Sequence, residues 1–194
     1  MSILSHSIDY ENAIKRKEII DSLHLLTTTD EDKHLQDITT SVAFTANCTM
    51  AYFSLFTDNK QIIKSSFGFV PARFGNNIPL FDSLSCELGD SICCLTMKLS
   101  PDEPLIILDT HQRSELISNR FVVGPPYLRY YVGLPIKYKG VNIGTLCAGD
   151  TSPKSQPSYH TMTSLHLLKN KLIDVLIDRE QKHKSKKWFN IFNF

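Results

Sequence analysis

The sequence predicts an α/β (α+β) domain with a central antiparallel sheet of about five or six strands. Two pairs of apolar, aromatic-rich segments are each joined by a short polar break, which is typical of β-hairpins. A long segment near the end of the chain repeats apolar residues at helical spacing. With 194 residues, 42% of them hydrophobic and 21% charged, the chain is large enough for one domain around one core.

Charge and hydropathy exclude several classes of protein. The chain carries 21 Lys and Arg against 20 Asp and Glu, a formal net charge of +1, so no overall field favours nucleic acid. Acidic residues from Asp9 onward interrupt the amino-terminal region, which therefore lacks the apolar core of a secretory signal. No apolar run approaches the ~20 residues that a bilayer span needs. We expect a soluble, cytoplasmic protein with no nucleic-acid partner and no stable membrane insertion.

The first elements are predicted to be helices. Residues 9–26 mix charges with a loose apolar stripe, which indicates an amphipathic opening helix. The stripe consists of Ile14, Ile19, Leu23 and Leu26. Thr29 or Asp30 can then cap a second helix, because their side-chain oxygens accept hydrogen bonds from backbone N–H groups. This second helix is predicted to run to about Asn47.

The middle of the chain alternates strands with short helices. The segments TMAYFSLFT and KQIIKSSFG predict a first β-hairpin around the polar break at residues 58–59. Residues 69–88 contain Pro, Gly and Asn with little periodicity, and we expect this loop to cover a pocket. Three further elements are predicted: a short helix at 89–99, a buried strand at 104–109 and a second short helix at about 112–119.

The clearest hairpin consists of YLRYYVGLPIKY and VNIGTLCAGD, joined by the turn Lys139-Gly140, where Gly tolerates positive φ. After the hairpin, apolar residues at helical spacing predict a closing helix from about Tyr159 to Lys184. The tail at residues 185–194 combines Lys with aromatic residues, which suits a membrane surface, a partner groove or docking on its own domain.

The segment from Asn119 to Pro153 contains a Gly-Pro-Pro turn, an Arg-aromatic-Tyr strand and a Gly-Thr-Leu-Cys-x-x-Asp strand. In this pattern it resembles the closing hairpin of those GAF domains that are found ahead of bacterial signalling output domains. The matching positions are Gly124, Pro125, Pro126, Arg129, Tyr130, Tyr131, Gly133, Pro135, Gly140, Gly144, Thr145, Leu146, Cys147 and Asp150. Upstream, Ser91-Ile92-Cys93 is similar to the Ser-Phe-Cys element of the family, and residues 105–109 are similar to its strand ending in Asp.

The resemblance implies a sheet with N- and C-terminal helices on one face, and short helices and loops over a pocket on the other. On this basis we divide the chain into an N-terminal helix (1–28), a GAF-like domain (29–153), a C-terminal helix packing on the sheet or a dimer mate (154–184) and the tail (185–194). Several positions depart from the family pattern and alter groups expected around the pocket. They are Ile62, Ile63, Leu88, Arg113, Glu115 and Leu116.

Ligand-binding residues are expected on the strands and short helices around that pocket. The candidates are Phe53, Phe67, Ser91, Cys94, Asp109, Arg129, Tyr131 and Cys147. The guanidinium of Arg129 can bind a carboxylate or phosphate in a bidentate manner, or it can form a structural ion pair with Asp109 or Asp150. The aromatic candidates can stack on a planar ligand or belong to the core.

Five cysteines show no spacing typical of a metal site, so reduced thiols are expected and no metal ligand is assigned. Some GAF-like proteins are free methionine-(R)-sulfoxide reductases, and Cys86, Cys93 and Cys94 fall in the region that carries their thiols. The cysteine that these enzymes have after the strand ending in Asp is missing here. Neither a bilin on Cys93 or Cys94 nor a haem on His111 has a supporting motif, so the cofactor stays unknown.

The sequence favours a regulatory sensor domain that binds a small molecule and acts through homodimerisation or a separate signalling protein. We expect a stand-alone domain rather than an enzyme. The apolar stripes on the first and last helices indicate a helical dimer interface. The alternatives are the sulfoxide reductase and a ligand-free protein-interaction module.

Overall fold

Six strands form one antiparallel sheet in the computed structural model, which describes residues 10–27, 32–57, 60–68 and 85–192. The strands are β1 (Met50–Phe56), β2 (Lys60–Phe67), β3 (Ser85–Glu87), β4 (Leu105–Ile107), β5 (Tyr130–Tyr138) and β6 (Val141–Asp150). Their order across the sheet is β3-β2-β1-β6-β5-β4. The predicted fold class and both predicted hairpins, β1–β2 and β5–β6, are therefore confirmed. Most of the expected cover loop, residues 69–84, lies outside the described residues.

The helices divide between the two faces of the sheet. They are α1 (Tyr10–Ser22), α2 (Asp32–Ala46), α3 (Cys93–Thr96), α4 (Arg120–Val123) and α5 (Tyr159–Phe192). Helices α1, α2 and α5 bury apolar side chains such as Ile20, Ile38 and Leu172 against the first face. None of the helices in the described ranges has both the length and the apolar character of a membrane span.

Among the residues that the structure describes, short elements cover the second face. These are α3, α4 and two single-turn 3₁₀ helices, Leu88–Asp90 and Thr110–Gln112. The prediction of a helix at 112–119 is wrong, because residues 114–118 form turns and α4 begins only after Asn119. The Asn119 side chain accepts a hydrogen bond from the N–H of Phe121, 3.0 Å away, and thereby caps α4.

The outer helices differ from the predicted ones at their ends. Helix α1 ends at Ser22 rather than near Leu26, because His24 adopts a left-handed conformation with φ of 49° that terminates the helix. Helix α5 continues past Lys184 to Phe192. The predicted α1 stripe is also only partly correct, since Ile14 is 49% exposed whereas Ile20, which the stripe omitted, is buried.

Candidate functional site

A small cavity lies between the second face of the sheet and its cover of short helices. Its lining comes from β1, β2, α3 and the segment around α4: Met50, Tyr52, Gln61, Ile63, Ser91, Ile92, Cys93, Phe121, Pro126 and Leu128. The cavity volume is about 30 Å³. By the same measure one water molecule needs roughly 10–15 Å³. The space therefore suits water or a molecule of similar size, and a larger ligand requires the cover to move.

Strand alternation decides which side chains reach this cavity. On β1, Tyr52 points to the cavity face, and its neighbour Phe53 is fully buried among the outer helices. On β2, Gln61 and Ile63 are two residues apart and share the cavity face. The hydroxyl of Ser91 donates a hydrogen bond to the Gln61 side-chain oxygen, although both residues are almost fully buried. The cavity thus combines one polar wall with an apolar remainder.

Asn119 joins two parts of the cover. Its amide nitrogen donates a hydrogen bond to the backbone oxygen of Asp90, 2.8 Å away, while its amide oxygen caps α4. Arg120, the first residue of α4, forms a partly exposed ion pair with the Asp90 carboxylate at 3.2 Å. Because these bonds connect the 3₁₀ helix at 88–90 with α4, the two cover elements are expected to move together.

A buried cluster of hydroxyl and thiol groups lies next to the cavity. The Tyr131 hydroxyl is 3.0 Å from Cys147 Sγ and 3.3 Å from Cys93 Sγ, and the two sulfurs are 3.7 Å apart. Gly133 makes this arrangement possible, because a Cβ at that position would lie 2.7 Å from Thr96 Oγ1 and would also overlap the Tyr131 hydroxyl. Since Gly133 is the cross-strand partner of Cys147, the tyrosine side chain passes over the glycine to reach the thiol.

The two thiols of this cluster differ in acidity. Burial opposes the thiolate of Cys93, but hydrogen bonds from Cys147, Tyr131, Tyr52 and Thr145 outweigh it and lower the pKa of Cys93 to about 6. Burial raises the pKa of Cys147 well above its ordinary value, and the bond to Cys93 acts in the same direction. The thiol pair therefore loses its first proton far more readily than its second.

Comparison with known proteins identifies the architecture. No family model and no curated protein sequence matches the chain. Solved structures do match, among them the GAF domain of an Acinetobacter phosphoenolpyruvate-protein phosphotransferase, at a TM-score of 0.57 and 14% identity over 91% of this chain and 99% of that chain. The protein has the GAF fold.

Two further structures with this fold carry different chemistry. One is the type II free methionine-R-sulfoxide reductase of Thermoplasma acidophilum, with 13% identity, a TM-score of 0.57 and coverage of 76% of this chain and 93% of that one. The other is the blue-light absorbing form of the PixJ GAF domain from Thermosynechococcus elongatus, with 12% identity, a TM-score of 0.57 and coverage of 96% and 97%. At such identities the likeness establishes the fold alone.

Some of the predicted site residues meet in the cover side of the GAF fold. Ser91 and Cys93 line the cavity, and Tyr131 and Cys147 lie in the cluster beside it. Phe53 and Phe67 belong instead to the helix-facing core, where the Phe67 ring packs 5.3 Å from that of Phe44.

Cys94 and Cys48 do not join the cluster. The thiol of Cys94 points away from Cys93 and donates to the backbone oxygen of Leu88 at 3.1 Å, and burial raises the pKa of Cys94 to about 12. Burial likewise raises the pKa of Cys48 to about 12. The side chain of Cys86 lies outside the described residues. The structure therefore pairs Cys93 with Cys147, where the reductase prediction had grouped Cys86, Cys93 and Cys94.

Arg129 and Asp109 lie away from the cavity and bind each other. The guanidinium donates two hydrogen bonds of 2.8 Å to the two carboxylate oxygens, which is the ion pair named above as the alternative to a ligand role. This bonding to Arg129 lowers the pKa of Asp109 to about 2. Arg129 borders a separate open groove of about 560 Å³, lined by His111, Ile117, Val122, Val123, Tyr127 and Thr151 as well.

Sequence reasoning named Ser91 but missed Gln61 and most of the apolar lining. Tyr52 was overlooked because MAYFSLF is apolar on both faces, so alternation alone could not decide between Tyr52 and Phe53. Gln61 carried a usable signal, since it is an amide within the apolar face of a strand. Within the described ranges, no group of three or more His, Cys, Asp or Glu side chains is placed to hold a metal ion.

Proposed function

We propose that this protein is a regulatory domain that binds a small molecule in the cavity between the sheet and its cover. The observation that carries the proposal is the cavity itself, because it places the Ser91–Gln61 pair within otherwise apolar walls. Small-molecule sites in proteins are concave, mostly apolar and equipped with a few orienting polar groups. The solved structures that match include a blue-light absorbing PixJ GAF domain and a domain assigned to a two-component sensor histidine kinase, which agrees with a receptor role.

Ligand binding would require displacement of the cover. The present volume of about 30 Å³ is far below that of a nucleotide or an amino-acid derivative, the two ligand classes that we favour. Short elements that are held by few contacts open at a low cost in free energy. The Asn119–Asp90 bond connects the cover elements, so we expect a ligand to shift both of them and thereby change the surface around α4.

The readout that we propose is association with a second copy or with a separate signalling protein. The apolar stripes of α1 and α5 that prompted the dimer prediction largely pack on the chain's own sheet, with Leu165, Leu172 and Leu176 buried there. The outer layer nevertheless leaves large apolar side chains at the surface, including Phe44, 71% exposed, and Leu167, 64% exposed. Such side chains on the outer layer suit contact with another protein surface.

Native mass spectrometry tests ligand and subunit count together. We expect a dimer mass, and additional mass after incubation with one member of a panel of nucleotides, amino acids and free methionine sulfoxide. The same compound should raise the melting temperature, because a ligand that binds only the folded state stabilises it. The Gln61→Leu variant should lose this shift, whereas Gln181→Leu, on the exposed face of α5, should keep it.

Two results would contradict the proposed function, and a third would contradict the cavity as its site. The first is a panel in which no compound adds mass or changes the melting temperature of the wild-type protein. The second is turnover of methionine sulfoxide with a thiol reductant, which would instead indicate the reductase function. If the ligand raises the melting temperature of Gln61→Leu as much as that of the wild type, the cavity is not the binding site.

A further inference from the structure

The cavity and the thiol cluster are connected through one side chain. Cys93 lines the cavity and also places its sulfur 3.7 Å from Cys147 Sγ. Both cysteines are almost fully buried, with exposures of 1% and 0%. A reactant can therefore reach this thiol pair from the cavity side, where Cys93 is the first sulfur that it meets.

The size of the cavity limits which oxidant can enter it. A volume of about 30 Å³ is roughly twice what one water molecule needs, and two oxygen atoms joined by a bond make a molecule of that size. Hydrogen peroxide fits this space, whereas an organic hydroperoxide with a branched alkyl group does not. Polar groups of Gln61 and Ser91 in the wall can hydrogen-bond to a small polar guest.

We propose that hydrogen peroxide entering this cavity oxidises Cys93, and that Cys147 converts the product into a Cys93–Cys147 disulfide. The inference goes beyond ligand binding and does not depend on it, because it needs only the cavity and the two thiols of the ligand-free protein.

The reaction balances in two steps. The Cys93 thiolate attacks one oxygen of the peroxide, so an S–O bond forms, the O–O bond breaks, and the hydroxide that leaves takes up the proton released by Cys93. The Cys147 sulfur then attacks Cys93 Sγ, so the S–S bond forms and the S–O bond breaks. The second hydroxide leaves with the Cys147 proton as water. In total two thiols lose two electrons, and one peroxide becomes two waters.

Hydrogen bonds around the pair favour this order of events. Tyr131 donates to Cys93 Sγ at 3.3 Å, and the Tyr52 hydroxyl lies 3.4 Å from the same sulfur. The Tyr131 donor stabilises a thiolate on Cys93, the sulfur that lines the cavity, and the thiolate is the form that attacks peroxide. Cys147 has no place in the cavity lining, so it is positioned to resolve the sulfenic acid rather than to meet the oxidant.

Disulfide formation would also move the cover. The sulfurs must approach by about 1.7 Å, since an S–S bond is about 2.05 Å long and they now lie 3.7 Å apart. Cys147 is held in the middle of β6 by pairing on both sides, whereas α3 is a single turn of four residues. The movement is therefore expected in α3, whose neighbours Ser91 and Ile92 form part of the cavity wall.

Peptide mapping of the peroxide-treated, ligand-free protein tests the proposal. After thiol alkylation, cleavage behind Glu87, Lys98, Lys139 and Lys154 places Cys93 and Cys147 in separate peptides and removes Cys86 from the first. We expect a linked species that is lighter by two hydrogens than the two reduced peptides. Cys94→Ser should still give it, as the matched control for the neighbouring buried cysteine, whereas Cys93→Ser and Cys147→Ser should not.

Each outcome of these experiments either supports the proposed disulfide or overturns it. Wild-type protein in which Cys93 and Cys147 both remain alkylatable after peroxide treatment would overturn the proposal, as would a linked species that persists in Cys93→Ser. Tert-butyl hydroperoxide should give the linked species more slowly than hydrogen peroxide, and equal rates would overturn the route through the cavity. Because this experiment uses ligand-free protein, its results do not depend on whether the protein binds a small molecule. Failure of disulfide formation would likewise leave the proposed small-molecule function untouched.

Discussion

At the scale of single residues, Tyr131 shows how a strand glycine and a tyrosine together build a polar centre inside an apolar layer. The hydroxyl forms hydrogen bonds with Thr96 Oγ1 at 2.8 Å and with both cluster thiols. Its neighbour Tyr130 points to the other face of the sheet, and its hydroxyl forms no hydrogen bond with any part of the chain that the structure describes. The two tyrosines are therefore both buried on the same strand, but only the hydroxyl of Tyr131 forms hydrogen bonds within the described ranges.

Replacing Tyr131 with Phe is expected to lower the free energy of unfolding by about 1–3 kcal/mol, because Thr96 and Cys147 lose a buried partner. Replacing Tyr130 with Phe should change it by less than about 0.5 kcal/mol, since no hydrogen bond is lost. Urea denaturation of both variants and the wild type measures the difference. Equal effects of the two substitutions would show that the cluster contributes nothing to stability.

Among the candidate site residues, those on the β5–β6 hairpin could be placed relative to one another from the position of the turn, whereas the others could not. The Gly133 and Cys147 positions lie in a hairpin with a defined turn, so Tyr131 and Cys147 could be placed together by register. Phe53 could not, because its strand is buried on both faces. Gln61 and the residues around α4 come together only through tertiary packing, which no local pattern encodes.

At the scale of elements, Arg179 of α5 ties the outer helical layer together. Its guanidinium is only 1% exposed and donates to the backbone oxygens of Leu23 and His24 and to the carboxylate of Asp32, all within 2.8 Å. Lys64 of β2 binds the other oxygen of Asp32 at 2.8 Å. One buried cation thus connects α5 with the end of α1, the start of α2 and, through Asp32, the sheet.

The Arg179→Met variant should lose about 3 kcal/mol of unfolding free energy, because it leaves three acceptors without their buried donor. Methionine keeps most of the apolar stem, so the loss reports on the charge and its hydrogen bonds. Lys171→Met on the exposed face of the same helix is the control, with an expected change below about 0.5 kcal/mol. Chemical denaturation checks both, and a near-neutral Arg179→Met would contradict the role of Arg179 as a tie.

Elements with strong local signals were predictable, and those shaped by neighbours were not. The turn Lys139-Gly140 has φ of 49° and 83°, as a tight hairpin requires, so β5 and β6 followed from the sequence. The helix predicted at 112–119 failed because its polar stretch had no apolar periodicity to anchor it. Its place is taken by turns, and Asn119 starts the helix later.

At the scale of the whole molecule, the two faces of the sheet have different cover. The first is packed by long helices that share a continuous core with β1, β5 and β6. The second carries single turns of helix over a smaller core, and the cavity borders this core with Gln61 and Ser91 in its wall. Because the long helices pack the first face and short elements cover the second, the cover can open locally while the helical layer stays folded.

Ion pairs flank β5 at both ends, and they predict that the stability of the folded protein decreases in acid. Asp109 binds Arg129 just before β5, and Glu180 binds Lys139 just after it. Hydrogen bonds to these cations lower the pKa of each carboxyl to about 2, below its value in the unfolded chain. Their stabilisation is therefore complete above about pH 5 and is lost as the pH falls toward 2. The test is urea denaturation of the Asp109→Asn/Glu180→Gln double variant across this pH range. Its free energy of unfolding should fall less steeply with decreasing pH than that of the wild type or of Asp174→Asn, an exposed control. Identical slopes for all three proteins would contradict it.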